Sequence, residues 1–348
     1  MMVKSKVISF CSVLIFSIFF IFLFLIFYGN SSALDLTGAG ATFPQPVIET
    51  WSKEYYKLTG VKINYQGIGS GGGIKQAQSK IVDFGLSDKP LTSKELREYN
   101  LIQFPFIIGA VVITYNVPNL ENISINLDHK AICDIYLGKI IKWNDPYLKN
   151  LNPKIKLPDL PINVIRRSDA SGTTWLFTTY LSKACSEWRE KIGAGTSVNW
   201  PVGIGAKGNP GVTNYIKQSI GSIGYVEFIY AKQNNLPMAK ILNKDESIFI
   251  FPSTKSMQKA ASNVKWNILE DFYVDLTYQP GKDSYPITGA SFAIIPLDKP
   301  NVKEVIKFFE WTFEKGDKIA EDLYYVPLPD NVVKQIYKYW EKYNLKTK

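Results

Sequence analysis

The chain has 348 residues, of which 46% are apolar and 14% aromatic, and its formal net charge is +9. This composition is typical of a globular protein and excludes an intrinsically disordered one. The lysines are scattered among acidic residues, which favours an ordinary basic surface over nucleic-acid binding. We therefore predict no nucleic-acid partner, although a positive surface helps to attract an anionic ligand.

The first 33 residues have the pattern of an export signal. Lys4 and Lys6 precede an uncharged apolar run over residues 7–29, and the small residues Ser31 and Ala33 follow. This order is typical of a cleaved signal peptide, which we predict over residues 1–33. The run is long enough to cross a bilayer, so an uncleaved membrane anchor is the alternative. The remainder of the chain is long enough for two lobes with cores of their own.

Helices and strands alternate in the first part of the remaining chain. Residues 44–60 predict a helix, because their apolar residues recur on one face between a proline and a glycine. Residues 61–66 alternate apolar and polar side chains and predict a strand. A glycine loop follows, then a short helix from Ile74, then a strand and turn over residues 82–88.

The alternation continues to the end of the chain. Residues 104–117 predict a buried strand or a strand pair, and residues 161–167 a further strand before a helix over 173–185. Residues 221–235 repeat the change from strand to helix, and residues 286–296 predict a strand that returns to the first lobe. Two or three helices close the chain. This order predicts an α/β fold with mainly parallel sheets flanked by helices.

The cysteines and the histidine limit the chemistry. The chain beyond residue 33 has two cysteines, Cys133 and Cys185, and one histidine, His129. Two cysteines make no disulfide framework, so we do not predict that they pair. A single histidine argues against a histidine-based zinc site and against a Ser-His-Asp triad. We predict that His129 is an exposed helix residue, and we predict no metal site, no cofactor and no catalytic residue.

Three glycine-and-hydroxyl turns each precede a predicted helix: GAGATFP (38–44), GIGSGGG (67–73) and SDASGTT (168–174). A helix start has unpaired backbone N–H groups and partial positive charge, so it binds anions. One such turn is most simply a helix cap. Three turns together, with the planar cation of Arg167 beside one of them, indicate an oxyanion site.

Other interpretations of these turns fit less well. GIGSGG matches G-x-G-x-x-G, but a helix already precedes its strand and no acidic residue closes a clear next strand at the distance expected of a dinucleotide site. No Walker-type loop is present, and G-x-S-x-G fails around Ser70 because Ile68 stands where glycine is needed. From the residues alone, Asp88 is most simply a turn cap, and Asp169 either caps its helix or holds Arg167 in place.

The motifs TGAGATFPQPV, YQGIGSGGGIKQ, VDFGLSDKPL, RRSDASGTTWLFTTYL, GNPGV and GYVEFIYAKQNN resemble those of the periplasmic phosphate-binding proteins of high-affinity phosphate ABC transporters. The resemblance runs from about Leu36 to the C-terminal helices. It implies the two-lobe fold of a type II periplasmic binding protein, with hinge crossovers between the lobes. On that pattern one lobe comprises residues 34–114 and 288–348, and the other comprises residues 115–287.

The resemblance also implies a ligand site. A carboxylate at Asp88 would accept a hydrogen bond from the P–OH group of phosphate and repel sulfate, which has no proton. Asp169 would orient Arg167. Gly71 stands where relatives often have a second serine. The implied phosphate-binding residues are Thr42, Phe43, Ser70, Asp88, Arg167, Asp169, Ser171, Gly172 and Thr173.

The function that the resemblance implies is binding and delivery of phosphate, without catalysis. The protein would be a periplasmic monomer that passes its ligand to the permease subunits of an ABC transporter with their ATPase. A binding protein for another oxyanion, such as sulfate or molybdate, is the alternative. An exported phosphatase that uses Ser70 or Ser171 is a further one, and it would need a general base or a metal cluster.

Overall fold

The computed structural model describes residues 34–345 of the chain. The predicted signal peptide over residues 1–33, and its alternative as a membrane anchor, lie outside the described residues. A search of the helices within residues 34–345 finds none with the length and apolar character needed to cross a membrane.

The described part of the chain contains two sheets. Its strands are β1 (Asp35–Gly40), β2 (Lys62–Gly67), β3 (Phe84–Ser87), β4 (Leu101–Asn116), β5 (Asn126–Leu127), β6 (Asn163–Arg167), β7 (Ile204–Ala206), β8 (Ser222–Glu227), β9 (Lys240–Leu242), β10 (Phe249–Ile250) and β11 (Thr288–Pro296). Within residues 34–345, eight strands form one sheet in the order β2-β1-β3-β11-β4-β8-β6-β7, and three form a small sheet in the order β10-β9-β5.

Helices flank these sheets. In chain order they are α1 (Gln45–Thr59), α2 (Ser70–Gln78), α3 (Ser93–Glu98), α4 (His129–Tyr136), α5 (Pro146–Leu151), α6 (Gly172–Ala184), α7 (Ser186–Lys191), α8 (Gly208–Gln218), α9 (Phe228–Gln233), α10 (Thr254–Ser262), α11 (Val302–Lys315), α12 (Asp317–Asp322) and α13 (Asp330–Glu341). A short 3-10 helix, Ile268–Glu270, lies between α10 and β11.

Parallel pairs lie at both ends of the large sheet and antiparallel pairs lie at its centre. Strand β1 runs parallel to β2 and β3, and β6 runs parallel to β7 and β8. In between, β11 is antiparallel to β3 and to β4, and β4 is antiparallel to β8. The predicted α/β class, with a mainly parallel sheet and flanking helices, is confirmed.

The long strand β4 joins the two ends of the sheet. The sequence left open a strand or a strand pair, and the structure has one strand of 16 residues. Its first part, from Leu101 to Ala110, pairs with β11, and its second part pairs with β8. A continuous apolar run fits a strand that is covered on both faces. The register of β11 shifts opposite Pro105, which cannot donate a ladder hydrogen bond.

One helix start differs from the prediction. Helix α2 begins at Ser70 and not at Ile74, so the glycine run forms its first turn. A Cβ atom on Gly73 would lie 2.5 Å from the Gly40 Cα atom and 2.9 Å from the Leu86 carbonyl oxygen. Glycine therefore serves close packing of the helix against β1 and β3, which outweighs its low helix propensity.

The prediction that His129 is exposed is wrong, and the two cysteines, whose pairing the sequence left open, are joined. His129 is buried, with 7% of its surface exposed, and its Nδ1 atom lies 2.9 Å from the Tyr180 hydroxyl. Cys133 and Cys185 form a disulfide that links α4 to the end of α6, with Cα atoms 6.4 Å apart. Both contacts join residues far apart in the sequence, so local pattern alone does not indicate them.

The disulfide yields a stability prediction. Replacing both cysteines with serine should lower the free energy of unfolding by about 2–4 kcal/mol, because the bond closes a long loop in the unfolded chain. Its cysteines are 52 residues apart. Urea unfolding with and without a reducing agent measures the effect. Wild type should lose stability on reduction and the double variant should not; equal curves for wild type in both conditions would contradict the prediction.

Candidate anion-binding site

The three predicted turns meet at one buried cluster at the ends of strands. Thr42 follows β1, and Asp88 follows the neighbouring parallel strand β3, so both lie at the same edge of the sheet. Ser70 begins α2, and Arg167 ends β6 just before α6. None of the following is more than 3% exposed: Thr42, Ser70, Asp88, Arg167, Ser171 and Thr173.

Ser70 connects two of the turns. Its Oγ atom accepts hydrogen bonds from the backbone N–H of Asp88, at 3.2 Å, and of Gly172, at 3.0 Å. A Cβ atom on Gly172 would lie 2.4 Å from both Ser70 Oγ and Asp88 Oδ2. Glycine at the start of α6 therefore permits this contact, and a side chain there would separate the turns.

Asp88 is a buried carboxyl group with one oxygen satisfied. Oδ1 accepts a hydrogen bond of 2.6 Å from the Ser291 hydroxyl, and Oδ2 has no partner among the described residues. Burial raises the pKa of Asp88 to about 7, against the lowering effects of Ser291, Arg167 and Ser70. The free oxygen lies beside the start of α6 and can bind a proton there.

Arg167 and Asp169 form a bidentate ion pair inside the cluster. The Arg167 Nε–Asp169 Oδ1 distance is 2.8 Å, and the Nη2–Oδ2 distance is 2.5 Å. Nη1 donates to Thr173 Oγ1 at 3.2 Å, and the Gly208 N–H donates to Asp169 Oδ1 at 3.0 Å. Burial acts to raise the pKa of Asp169, but Arg167 and the backbone hydrogen bonds, including that of Gly208, together make the net shift downward. Asp169 thus holds the guanidinium in one orientation.

Arg166 lies on the other face of β6, because successive side chains of a strand alternate. Its Nη1 atom lies 3.4 Å from the Arg167 carbonyl oxygen, and a Cβ atom on Gly205 would lie 3.1 Å from Nη1. Arg166 therefore packs towards the edge strand β7. The geometry selects Arg167 as the arginine of the cluster, which the residues alone did not rank.

Asn209, which the sequence analysis missed, joins Thr42 to Thr173. Its Nδ2 atom donates to Thr42 Oγ1 at 2.9 Å and to Thr173 Oγ1 at 3.2 Å. Its Oδ1 atom accepts from the Glu227 N–H at 3.0 Å. The only sequence signal was its position in GNPGV at the start of a helix, within a motif that carries the resemblance.

Two of the predicted residues have structural contacts of their own. The Ser171 Oγ atom accepts a 3.0 Å hydrogen bond from the Thr174 N–H and caps α6. The Phe43 carbonyl oxygen accepts a 2.6 Å bond from the Tyr325 hydroxyl, and the Phe43 ring packs against Gly109 of β4. The ring therefore contributes packing.

A second buried carboxyl group, Glu227, lies near the cluster. Its Oε2 atom accepts a 2.9 Å bond from the Ile229 N–H and caps α9, while Oε1 has no partner among the described residues. Burial raises the pKa of Glu227, and Asp88 raises it further. Glu227, like Ser291, was missed by the sequence analysis, because each reaches the cluster only when distant strands pair.

Comparison with known proteins places the chain in a family. A model of the PBP superfamily domain matches residues 29–315. A protein of Xylella fastidiosa (strain Temecula1) called phosphate-binding protein PstS is 47% identical over 314 residues, which cover 89% of this chain and 86% of that protein. The Haemophilus influenzae protein of the same name is 46% identical, over 89% of this chain and 94% of its own. The chain belongs to the same family as these two phosphate-binding proteins, within the PBP superfamily.

Solved structures agree on the fold. A high-affinity periplasmic phosphate-binding protein, PfluDING, solved with bound phosphate, has a TM-score of 0.72 to this chain at 21% identity. The match covers 88% of this chain and 93% of that protein. At this identity the likeness shows the fold alone.

Among residues 34–345 no group of three or more His, Cys, Asp or Glu side chains is placed to hold a metal ion.

The raised pKa of Asp88 predicts how stability changes with pH. Folding favours the neutral carboxyl group, so its stabilising effect is complete below the ordinary carboxyl pKa and is lost as pH rises through about 7. Asp88→Asn keeps the shape without the ionisation. In phosphate-free buffer, the melting temperature of Asp88→Asn should therefore rise relative to that of the wild type as the pH is raised from about 5 to about 8.

Glu227 is present in both proteins of this comparison, so the effect of burial on its pKa, which is the largest one, is common to both. Circular dichroism at a series of pH values measures both melting curves. A difference in melting temperature that stays constant over that range would contradict the pKa assigned to Asp88.

Proposed function

We propose that this chain binds inorganic phosphate at the buried cluster and delivers it to a membrane ABC permease, without catalysing a reaction. The observation that carries the proposal is the free Oδ2 atom of Asp88 in a cluster that also contains several hydrogen-bond donors. Arg167, the start of α6 and the hydroxyls of Ser70 and Thr173 supply those donors. The relatives at 47% and 46% identity are called phosphate-binding proteins, which supports the same ligand.

The nine residues implied by the resemblance are proposed as the phosphate ligands and their supports. Arg167 and the backbone N–H groups at the start of α6 would bind the charged oxygens. Asp169 would hold Arg167, and the hydroxyls would donate to the remaining oxygens. The other proposed ligands are Thr42, Phe43, Ser70, Asp88, Ser171, Gly172 and Thr173.

The proposed selectivity follows from a count of protons. Phosphate at neutral pH brings one or two protons and sulfate brings none. Ionised Asp88 can accept a hydrogen bond from a P–OH group, whereas sulfate would place an oxygen without a proton against a desolvated carboxylate. Sulfate can bind well only when Asp88 itself carries the proton.

We propose that binding closes two lobes, one made of residues 34–114 and 288–348 and the other of residues 115–287. Contacts in the cluster join these segments: the Gly172 N–H donates to Ser70 Oγ at 3.0 Å, and the Gly71 N–H donates to the Ala170 carbonyl at 2.9 Å. A ligand held from both sides would favour the closed state, because it gains contacts that the open state lacks.

The proposed setting is the periplasm. The predicted export signal supports export, and the phosphate-bound structural relative PfluDING is a periplasmic protein. The chain would act as a monomer, with permease subunits and their ATPase as partners. The alternative is that the ligand is an oxyanion other than phosphate, and the next experiment distinguishes phosphate from sulfate.

Calorimetric titration with phosphate, arsenate and sulfate between about pH 6 and pH 9 tests the proposal. Phosphate and arsenate should bind far more tightly than sulfate. Above the Asp88 pKa of about 7, sulfate affinity should fall about tenfold per pH unit, because binding requires proton uptake. Phosphate brings its own proton, so the preference for phosphate should grow over that range.

Asp88→Asn is the control for this titration, since an amide cannot ionise. Its preference between phosphate and sulfate should be smaller and independent of pH above neutrality. A wild-type preference that does not change with pH would contradict the role of Asp88. Sulfate binding as tight as phosphate binding at every pH would contradict phosphate as the ligand.

Arg167→Ala should weaken phosphate binding by about 2–5 kcal/mol, the range for removing one partner of a buried charge pair. Arg166→Ala is the matched control, because Arg166 faces away from the cluster, and it should change the binding free energy by no more than about 0.5 kcal/mol. Arg167→Lys keeps the charge without the planar fork and should fall between them. Equal losses in the two alanine variants would disprove the assignment.

A further inference from the structure

The hydroxyl of Thr42 is saturated as an acceptor by one residue. Its Oγ1 atom lies 3.1 Å from the backbone nitrogen of Asn209 and 2.9 Å from Nδ2 of the same residue. Both nitrogens carry hydrogen and can only donate. A hydroxyl has two acceptor lone pairs and one hydrogen. With both lone pairs engaged, the Thr42 hydroxyl can act towards a further group only as a donor.

The hydroxyl oxygen of Thr173 also accepts two hydrogen bonds. Its Oγ1 atom lies 3.2 Å from Nη1 of Arg167 and 3.2 Å from Nδ2 of Asn209. The guanidinium has no acceptor, so the first contact has one possible direction. The side-chain amide of Asn209 donates the second hydrogen bond. The hydrogen of the Thr173 hydroxyl is therefore also free to be donated elsewhere.

The orientation of the Asn209 amide follows from its third contact. The Glu227 N–H lies 3.0 Å from Oδ1, and an exchange of the oxygen and nitrogen positions would bring two donors together there. Asn209 is completely buried, so water does not compensate for a mismatch. The hydrogen-bond network thus assigns Nδ2 to the two threonines, and both of its hydrogens are used.

We propose that Asn209 is a positioning residue that forces the hydroxyls of Thr42 and Thr173 to donate to the bound anion. This inference rests on the proposed function, and it deepens it by naming the residue that fixes the polarity of the hydroxyls. A ligand atom that must itself donate would meet two hydroxyl hydrogens here. The two threonine positions then suit oxygens that carry no proton, and the free Oδ2 atom of Asp88 is the acceptor for a P–OH group.

Ser70 shows the same arrangement without a side-chain amide. Its Oγ atom accepts from two backbone N–H groups, those of Asp88 and Gly172. The backbone therefore determines that the Ser70 hydroxyl donates its hydrogen to a further group, and this should not depend on Asn209. Variants of Asn209 should act on Thr42 and Thr173 and leave Ser70 unchanged.

Asn209→Asp is the decisive variant, because it keeps the shape and replaces the donor Nδ2 with an acceptor. The hydroxyl hydrogens of Thr42 and Thr173 would turn to the new carboxylate and be lost to the ligand. We expect phosphate affinity to fall about 100-fold or more, since two hydrogen bonds to a charged group are removed. Asn209→Ala should cost about tenfold or less, because the backbone N–H still donates to Thr42.

A double-mutant cycle separates this effect from charge repulsion. In a Thr42→Val/Thr173→Val background there is no hydroxyl to reorient, so the cost of Asn209→Asp there measures the new charge alone. We expect that cost to be at least about tenfold smaller than in the wild-type background. Equilibrium dialysis with radiolabelled phosphate up to millimolar concentration measures every affinity, and thermal unfolding without ligand checks that each variant folds.

Asn209→Ala in a Thr173→Val background gives a second readout should the aspartate variant not fold, and the two changes should be non-additive. Equal costs of the Asn209 change in both backgrounds would overturn the inference, as would a greater loss for alanine than for aspartate, which is the order expected of a purely structural role. Failure of the wild-type protein to bind phosphate would instead overturn the proposed function.

Discussion

The buried ion pair between Arg167 and Asp169 is the interaction on which the rest of the cluster depends. An arginine side chain that is 1% exposed would be costly without a partner. Asp169 neutralises it with two hydrogen bonds and also accepts the Gly208 N–H. That last contact fixes the start of α8 and hence the position of Asn209. One ion pair therefore positions the end of β6, the start of α6 and the start of α8 relative to one another.

The cluster has a marked polarity that follows from these positions. Its guanidinium, backbone N–H groups and hydroxyls are directed as donors, and Asp88 Oδ2 is an acceptor without a partner among the described residues. Asp88 and Glu227 are both buried, and burial raises the pKa of each. The raised pKa values favour the neutral forms of both groups. The site therefore carries less negative charge than two ionised carboxylates would give it, and it repels an anion less.

Local patterns in the sequence were sufficient for much of this architecture. The apolar run of β4 and the glycine-and-hydroxyl turns are read from neighbouring residues, and the Arg167–Asp169 pair is only two residues apart. The contacts of Ser291 with Asp88 and of Asn209 with Thr42 span 203 and 167 residues. Nothing in the spacing of such residues indicates a contact before the strands pair. The same reason accounts for the buried His129 and for the disulfide.

The glycine at position 71 is required by a close approach between two of the turns. The Gly71 N–H donates to the Ala170 carbonyl at 2.9 Å, and a Cβ atom on Gly71 would lie 2.5 Å from the Ala170 Cβ atom. Two side-chain carbons cannot approach so closely, so the two turns can touch through their backbones only if one of these positions is glycine. In this chain alanine at 170 requires glycine at 71. With glycine at 71 the two turns can approach, and Ser70 makes its contacts with Asp88 and Gly172.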